Sequence, residues 1–226
     1  MKDNVIHPTA VIGDGVILGS GNRIDAHVVI TGNVVIGDSN WFCAGAIIGA
    51  APEIRAIRPD SAGYFEGTFA GVVIGSNNVF REASQVHQGH KRATTIGDDV
   101  YVMNQVYIAH DCLLDSGATL ASSVLLAGNV HVHRGANLGL GTTVHQGIEI
   151  GPLSMVGMGS VVTRPVPAFS KAYGVPLRAL GVNTVGLSRA GFTDEDIAEI
   201  VSDANSGRFV PNLEAALMIA EKAGSA

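Results

Sequence analysis

The chain has 226 residues and a net charge of −6, which allows one large or two small domains and argues against a general nucleic-acid binder. Its two cysteines, Cys43 and Cys112, lie in no CxxC pair and are too few for a disulfide framework. Met1-Lys2-Asp3-Asn4 leads into no apolar signal core, and no run of apolar residues is long enough to span a bilayer, so the sequence predicts a cytoplasmic protein without a transmembrane segment.

Residues 1–50 carry the first regular pattern. Ile6, Ile12, Leu18, Ile24, Ile30, Ile36, Phe42 and Ile48 are six apart. A helix repeats its apolar positions every 3.6 residues and a strand every 2, so a strict period of six is neither. It is the hexapeptide signature of a parallel β-helix, in which three hexads make one triangular coil. Coils stack at about 4.8 Å, the ordinary strand spacing. No repeat buries its aliphatic without neighbours above and below.

Residues 51–73 break the register with Pro52, Pro59, Gly63, Gly67 and Gly71. A polar excursion of this length, carrying Glu53, Arg55, Arg58, Asp60 and Tyr64, reads as a functional loop on a solenoid. Ile74, Phe80 and Val86 resume the pattern, and four extra residues near 92–95 form a second, smaller insertion. From Ile96 the step of six is unbroken through Val102, Ile108, Leu114, Leu120, Leu126, Val132, Leu138, Val144, Ile150, Val156 and Val162. Pro165 and Pro167 are expected to end the coil at about residue 168, because proline cannot donate to a ladder. Residues 169–192 read as a connector. Thr193-Asp194-Glu195-Asp196 reads as a capped helix start, with a helix to about Ala204 and a second one capped by Asn212. The predicted architecture is an all-β parallel helix over 1–168 followed by a short α-helical tail over 169–226.

A small or acidic residue should follow each aliphatic, where the chain turns a corner. It does so in 17 of 23 hexads, and the exceptions are His7, Arg81, His87, Met103, His133 and His145. Four of the six are histidines, a departure that packing does not require. Advancing by one coil, plus the four-residue insertion, maps Val86 onto Ile108; further single coils lead to Leu126, Val144 and Val162. His87, His110 and His145 therefore share one face, about 5 Å and 10 Å apart along the axis. His110 is followed by Asp111, and a histidine beside a carboxylate suits a general base near neutral pH. Cys112, at the fifth position of its hexad, should point inward as a small buried residue.

Several stretches together resemble the UDP-N-acetylglucosamine O-acyltransferases of lipid A biosynthesis. They are Ile108-Ala109-His110-Asp111-Cys112, Leu126-Ala127-Gly128, Val144-His145-Gln146, Gly181-Val182-Asn183, Gly186-Leu187, Arg189 and Gly191-Phe192, with Arg81-Glu82 and His87 upstream. The resemblance implies a left-handed coil, a homotrimer, active sites between neighbouring subunits, and no cofactor. It gives His110 the role of general base with Asp111 beside it, and gives the Gly128 N–H that of oxyanion donor. His87, His145, Gln146 and Arg189 match positions at or near the nucleotide sugar; Arg55 is a looser match in the first loop. Met158, thirteen residues after His145, matches the position that measures the acyl chain. Tyr107 and Asn129 stand where the family usually has histidines, and Ala190 replaces a second arginine.

The leading reading is transfer of an acyl group from an acyl-carrier-protein thioester to a nucleotide sugar such as UDP-GlcNAc. The alternatives are an amino-sugar N-acyltransferase using acyl-CoA, and a catalytically silent binding homologue. A γ-type carbonic anhydrase would need three converging zinc histidines. His87, His90 and His110 are the candidates, but their spacing is not a ligand pattern, and no metal ligands are assigned.

Overall fold

The computed structural model describes residues 3–58 and 69–206. Its strands from Val5–Ile6 to Val161–Val162 wind through three parallel sheets in strict rotation. Face I has ten strands, from Val5–Ile6 to Arg178–Val182; face II has eight, from Val11–Ile12 to Val161–Val162; face III has seven, from Val16–Leu18 to Glu149–Ile150. The second residue of the short strands is the hexad aliphatic, and it pairs with its counterpart one coil on, as Leu120 does with Leu138 and Leu126 with Val144. These side chains form the core column; Val86, Ile108, Leu120, Leu126 and Leu138 are wholly buried. Burying one such side chain contributes about 1.5–3 kcal/mol. Phe42 and Phe80 stack in the same column with ring centroids 5.0 Å apart.

The corners follow a rule of their own. The third residue after the aliphatic adopts a left-handed backbone, as at Gln105, Asp111, Asn129, Gly135 and Gly141. Glycine takes this conformation freely and Asn and Asp tolerate it, which accounts for much of the composition at the corners. At the corner between faces III and I, buried asparagines also stack. Asn40 donates to Asn22 Oδ1 and to Gly75 O and accepts from Asn78 N, so corner donors are passed from coil to coil.

Three boundaries differ from expectation. Strand structure resumes at Val72, because Val72 already pairs with Val34 and Thr94. Thr94 and Thr95 belong to the strand Thr94–Ile96, so the second excursion occupies residues 88–93 rather than 92–95. The coil also does not stop at the prolines. They flank Val166, whose own N–H still donates to Glu149 O at 2.9 Å. Ser170–Tyr173 then pairs in parallel with Met155–Val156, and Arg178–Val182 folds back antiparallel on it. The segment 169–192 is therefore largely the last layer of face I. Helix α1 (Thr184–Arg189), not anticipated, is capped by Asn183, whose side chain accepts from Gly186 N. Helix α2 (Asp194–Asn205) starts with a Thr193–Asp196 capping box where expected. Both helices join a small second core of Leu153, Phe169, Leu187 and Ile200. The helix expected after Asn212 lies outside the described residues, as do residues 59–68 of the first loop. No helix among the described residues is long and apolar enough to cross a membrane.

Candidate active site

The corner between faces II and III brings the predicted residues together. Val86, Ile108, Leu126 and Val144 pair in successive register, so the corners that follow them stack. His110 Nδ1 lies 2.6 Å from Asp111 Oδ2. Asp111 is 1% exposed. Its other oxygen accepts from three consecutive backbone N–H groups, those of His90, Lys91 and Arg92, at 3.0, 2.8 and 2.8 Å. The Arg92 side chain donates to Asp111 O, and Asp111 N donates to Thr94 Oγ1. The short excursion after His87 thus serves to clamp one carboxylate. Burial pushes the Asp111 carboxyl up. The Arg92 N–H, His110 and the Lys91 N–H outweigh it and hold the carboxyl below the usual range. An ionised carboxylate only accepts. In the neutral ring Nδ1 of His110 is therefore the nitrogen that carries the proton, which leaves Nε2 as the acceptor.

Gly128 sits one coil on, directly against that ring. A Cβ built there would stand 2.6 Å from His110 Cε1 and 2.7 Å from Nε2. Asn129 N donates to His110 O at 3.0 Å, while Gly147 N donates to Gly128 O at 3.0 Å. The Gly128 N–H has no acceptor among the described residues. A free backbone donor and an imidazole lone pair meet at one corner, the minimum needed to hold an oxyanion while moving a proton.

His145 and Gln146 lie exposed on the following coil of the same corner. His87 is buried; its Nδ1–H donates to Ala51 O at 2.8 Å and its ring meets Tyr107 at 5.0 Å. With Glu53, Arg55 and Arg58 it lines a cavity of about 490 Å³ under the first loop. Tyr107 donates to Glu53, tying that loop to the corner. Burial first, then this bond, raises the Tyr107 phenol well above its usual range. Cys112 is buried and faces inward, as its hexad position predicts, and burial pushes its thiol up to about 12.

Two predicted residues are elsewhere in the single chain. Arg189 closes α1 over face I, where it lines a cavity of about 470 Å³ with Thr119, Asn137, Lys171 and Tyr173. Met158 is 74% exposed at the corner between faces I and II. The nearby clamp of His90, Lys91, Arg92 and Thr94 escaped the sequence analysis. Its signal was the insertion itself, falling one coil ahead of His110. His87, His90 and His110 do not gather to metal-holding distance.

Known proteins are similar to this chain in sequence and in fold. Residues 166–203 match the family model for domain 2 of UDP-N-acetylglucosamine O-acyltransferase. Acyl-[acyl-carrier-protein]–UDP-N-acetylglucosamine O-acyltransferases are similar over most of the chain. The one from Verminephrobacter eiseniae is 36% identical over 86% of this chain and 79% of its own length. For that from Thermodesulfovibrio yellowstonii the values are 37%, 87% and 74%. The match to the Gloeothece citriformis relative, 34% identical, covers 76% of this chain but only 60% of that protein. The crystal structure of UDP-N-acetylglucosamine O-acyltransferase from Moraxella catarrhalis superposes with a TM-score of 0.84 at 29% identity, covering 97% of this chain and 86% of that one. The Francisella novicida UDP-N-acetylglucosamine acyltransferase structure gives 0.80 at 29%, covering 100% and 86%. The coil is thus a left-handed parallel β-helix, and with sequence and fold in agreement the chain belongs to the UDP-N-acetylglucosamine O-acyltransferase family.

Proposed function

We propose that this chain transfers an acyl group from an acyl-carrier-protein thioester to a hydroxyl of UDP-GlcNAc, with His110 as the general base. The observation that carries the reading is the His110–Asp111 pair set against the free N–H of Gly128. The names of the relatives support the donor and the acceptor.

Asp111 holds the imidazole by Nδ1–H, so Nε2 takes the proton of the sugar hydroxyl as its oxygen attacks the thioester carbon. The C–O bond forms, and the carbonyl oxygen becomes an oxyanion facing the Gly128 N–H. Collapse breaks the C–S bond, and the proton on Nε2 passes to the departing thiolate. The imidazole returns to its starting state with atoms and charge balanced. General base catalysis of this kind contributes about 10²–10⁴-fold, and loss of one oxyanion donor costs about 10²–10³-fold. His87 and Arg55 on one side, and His145 and Gln146 on the other, flank the reacting corner and are assigned to the nucleotide sugar. Arg189 would reach such a site from a neighbouring copy in a homotrimer.

Tyr107 and Asn129 bear on the acceptor, since Asn129 N donates to His110 O, the Tyr107 ring meets His87, and both stand in place of the histidines that the family resemblance gives. The test is a panel of acyl-carrier-protein and acyl-CoA donors against UDP-GlcNAc and amino-sugar acceptors. Turnover is expected with the carrier-protein donor and UDP-GlcNAc. Preference for an amino sugar with acyl-CoA would replace this reading with N-acylation, and no transfer to any acceptor would leave a binding homologue.

A further inference from the structure

A second cluster lies at a different corner, between faces III and I. Asp115 and His133 each directly follow a hexad aliphatic, Leu114 and Val132, and occupy equivalent positions on adjacent coils. His131 points outward from the strand leading into His133, in register with Glu149 on the next coil. His131 Nε2 lies 2.9 Å from Asp115 Oδ1, and His133 Nδ1 lies 3.3 Å from Asp115 Oδ2. One ligand atom from each of the three falls within 4.8 Å of the others. The two imidazole rings face each other with centroids 3.7 Å apart.

Packing alone does not explain His133. It is 3% exposed, and neither of its ring nitrogens makes a hydrogen bond. The Nδ1 approach to Asp115 misses hydrogen-bond geometry, and Nε2 is 3.8 Å from Glu149 Oε2. An unsatisfied buried polar atom costs about 1–3 kcal/mol. Two such atoms on one ring call for a partner. Ligands about 2.0–2.1 Å from a tetrahedral ion sit roughly 3.3 Å from one another. The two imidazoles approach different oxygens of Asp115, at 2.9 and 3.3 Å, and one ligand atom from each of the three residues lies within 4.8 Å of the others, so small rotations of these side chains bring them onto one ion.

We propose that Asp115, His131 and His133 form a binding site for a divalent transition-metal ion, zinc being the fitting one, outside the acyl-transfer corner. Two imidazoles and a carboxylate supply three of four tetrahedral positions. The fourth is open to water or to Glu149, which sits in the His131 register. The ion would cross-link adjacent coils. The sequence pattern alone points to no metal ligand here: His133 stands out only as a corner exception, and the shared face gathers His87, His110 and His145 without it.

The test uses untagged full-length protein stripped with a chelator and then titrated with Zn²⁺, or with Co²⁺ as a spectroscopic probe. One ion per chain is expected, with the visible absorption of tetrahedral Co²⁺. Loss of an outer-shell partner alone lowers metal affinity by about 10–100-fold, so removing a ligand should cost at least about 100-fold. His131→Ala and Asp115→Asn, both at partly exposed positions, should show that loss with an unchanged circular dichroism spectrum. His133→Ala is the third arm, although its burial risks the fold. Failure of folded wild-type protein to take up either ion would overturn the proposal. Equal affinity in wild type and both accessible variants would overturn it too, and would mark any uptake as adventitious. Metal content is read independently of acyl transfer, so neither result depends on the proposed function.

Discussion

The proposed role of His110 rests on what surrounds it. The carboxylate of Asp111 fixes the tautomer, three N–H groups fix the carboxylate, and Gly128 leaves room for the ring. His110→Ala is expected to lower kcat by about 10²–10⁴-fold with the fold intact, read by steady-state turnover beside circular dichroism. Near-normal turnover would remove it from the base role. Gly128→Ala tests the contact from the other side. Its methyl group must displace the imidazole, and a misplacement of about 1 Å can cost about 10²-fold. Turnover should fall accordingly while the melting temperature barely moves. Met158 is a prediction of a different kind, because its exposure shows a side chain able to meet a donor on the surface. Each buried methylene contributes about 0.8 kcal/mol. Met158→Gly should therefore shift preference toward donors a few carbons longer, compared across saturated acyl thioesters; an unchanged optimum would show that Met158 is no ruler.

The strands are only two to five residues long and none is stable alone. What holds them is continuity across coils, through the aliphatic column and the stacked corners. The asparagine stack makes this continuity measurable. Asn40→Ala would orphan the buried Asn78 N–H and Gly75 O at once. A loss of at least about 2 kcal/mol is expected in urea unfolding. A loss no larger than that of an ordinary surface substitution would mean that water replaces the amide. The hexad aliphatics and the Thr193 cap were legible in the sequence because each is a local pattern. The asparagine stack was not, since Asn40 and Asn78 are 38 residues apart across an insertion. The extra layer of face I was also hidden. Proline spacing says where a ladder loses donors, but only the fold shows that Val166 keeps its own.

With Arg189 and Met158 counted among its residues, the proposed site is not complete within one chain. Arg189 and Met158 lie away from the His110 corner. A homotrimer would bring a neighbouring copy's residues to it, and light scattering at micromolar concentration should give three times the chain mass; a monomer would count against shared sites. Acid should destabilise the fold for a defined reason. The Asp111 and Asp115 carboxyls are held below their usual range when folded. Their contribution is present above the unfolded value of about 3.9 and is lost as pH falls through the lower folded values. Thermal midpoints should therefore drop below about pH 4, and Asp111→Asn should flatten part of that fall. A midpoint unchanged down to about pH 2 would contradict it.

A period of six carries its own geometry, so the coil, its register and the alignment of His87, His110 and His145 could be counted from the chain. Short-range chemistry was equally legible, because His110 and Asp111 are neighbours and Thr193 caps within its own turn. Contacts between residues on different coils were not. The clamp on Asp111 depends on how residues 88–93 fold back, and the meeting of Asp115 with His131 and His133 depends on side-chain directions at a corner. Periodicity specifies which residues stack; only the tertiary structure decides which polar atoms then face one another, because that depends on backbone turns and rotamers rather than on spacing.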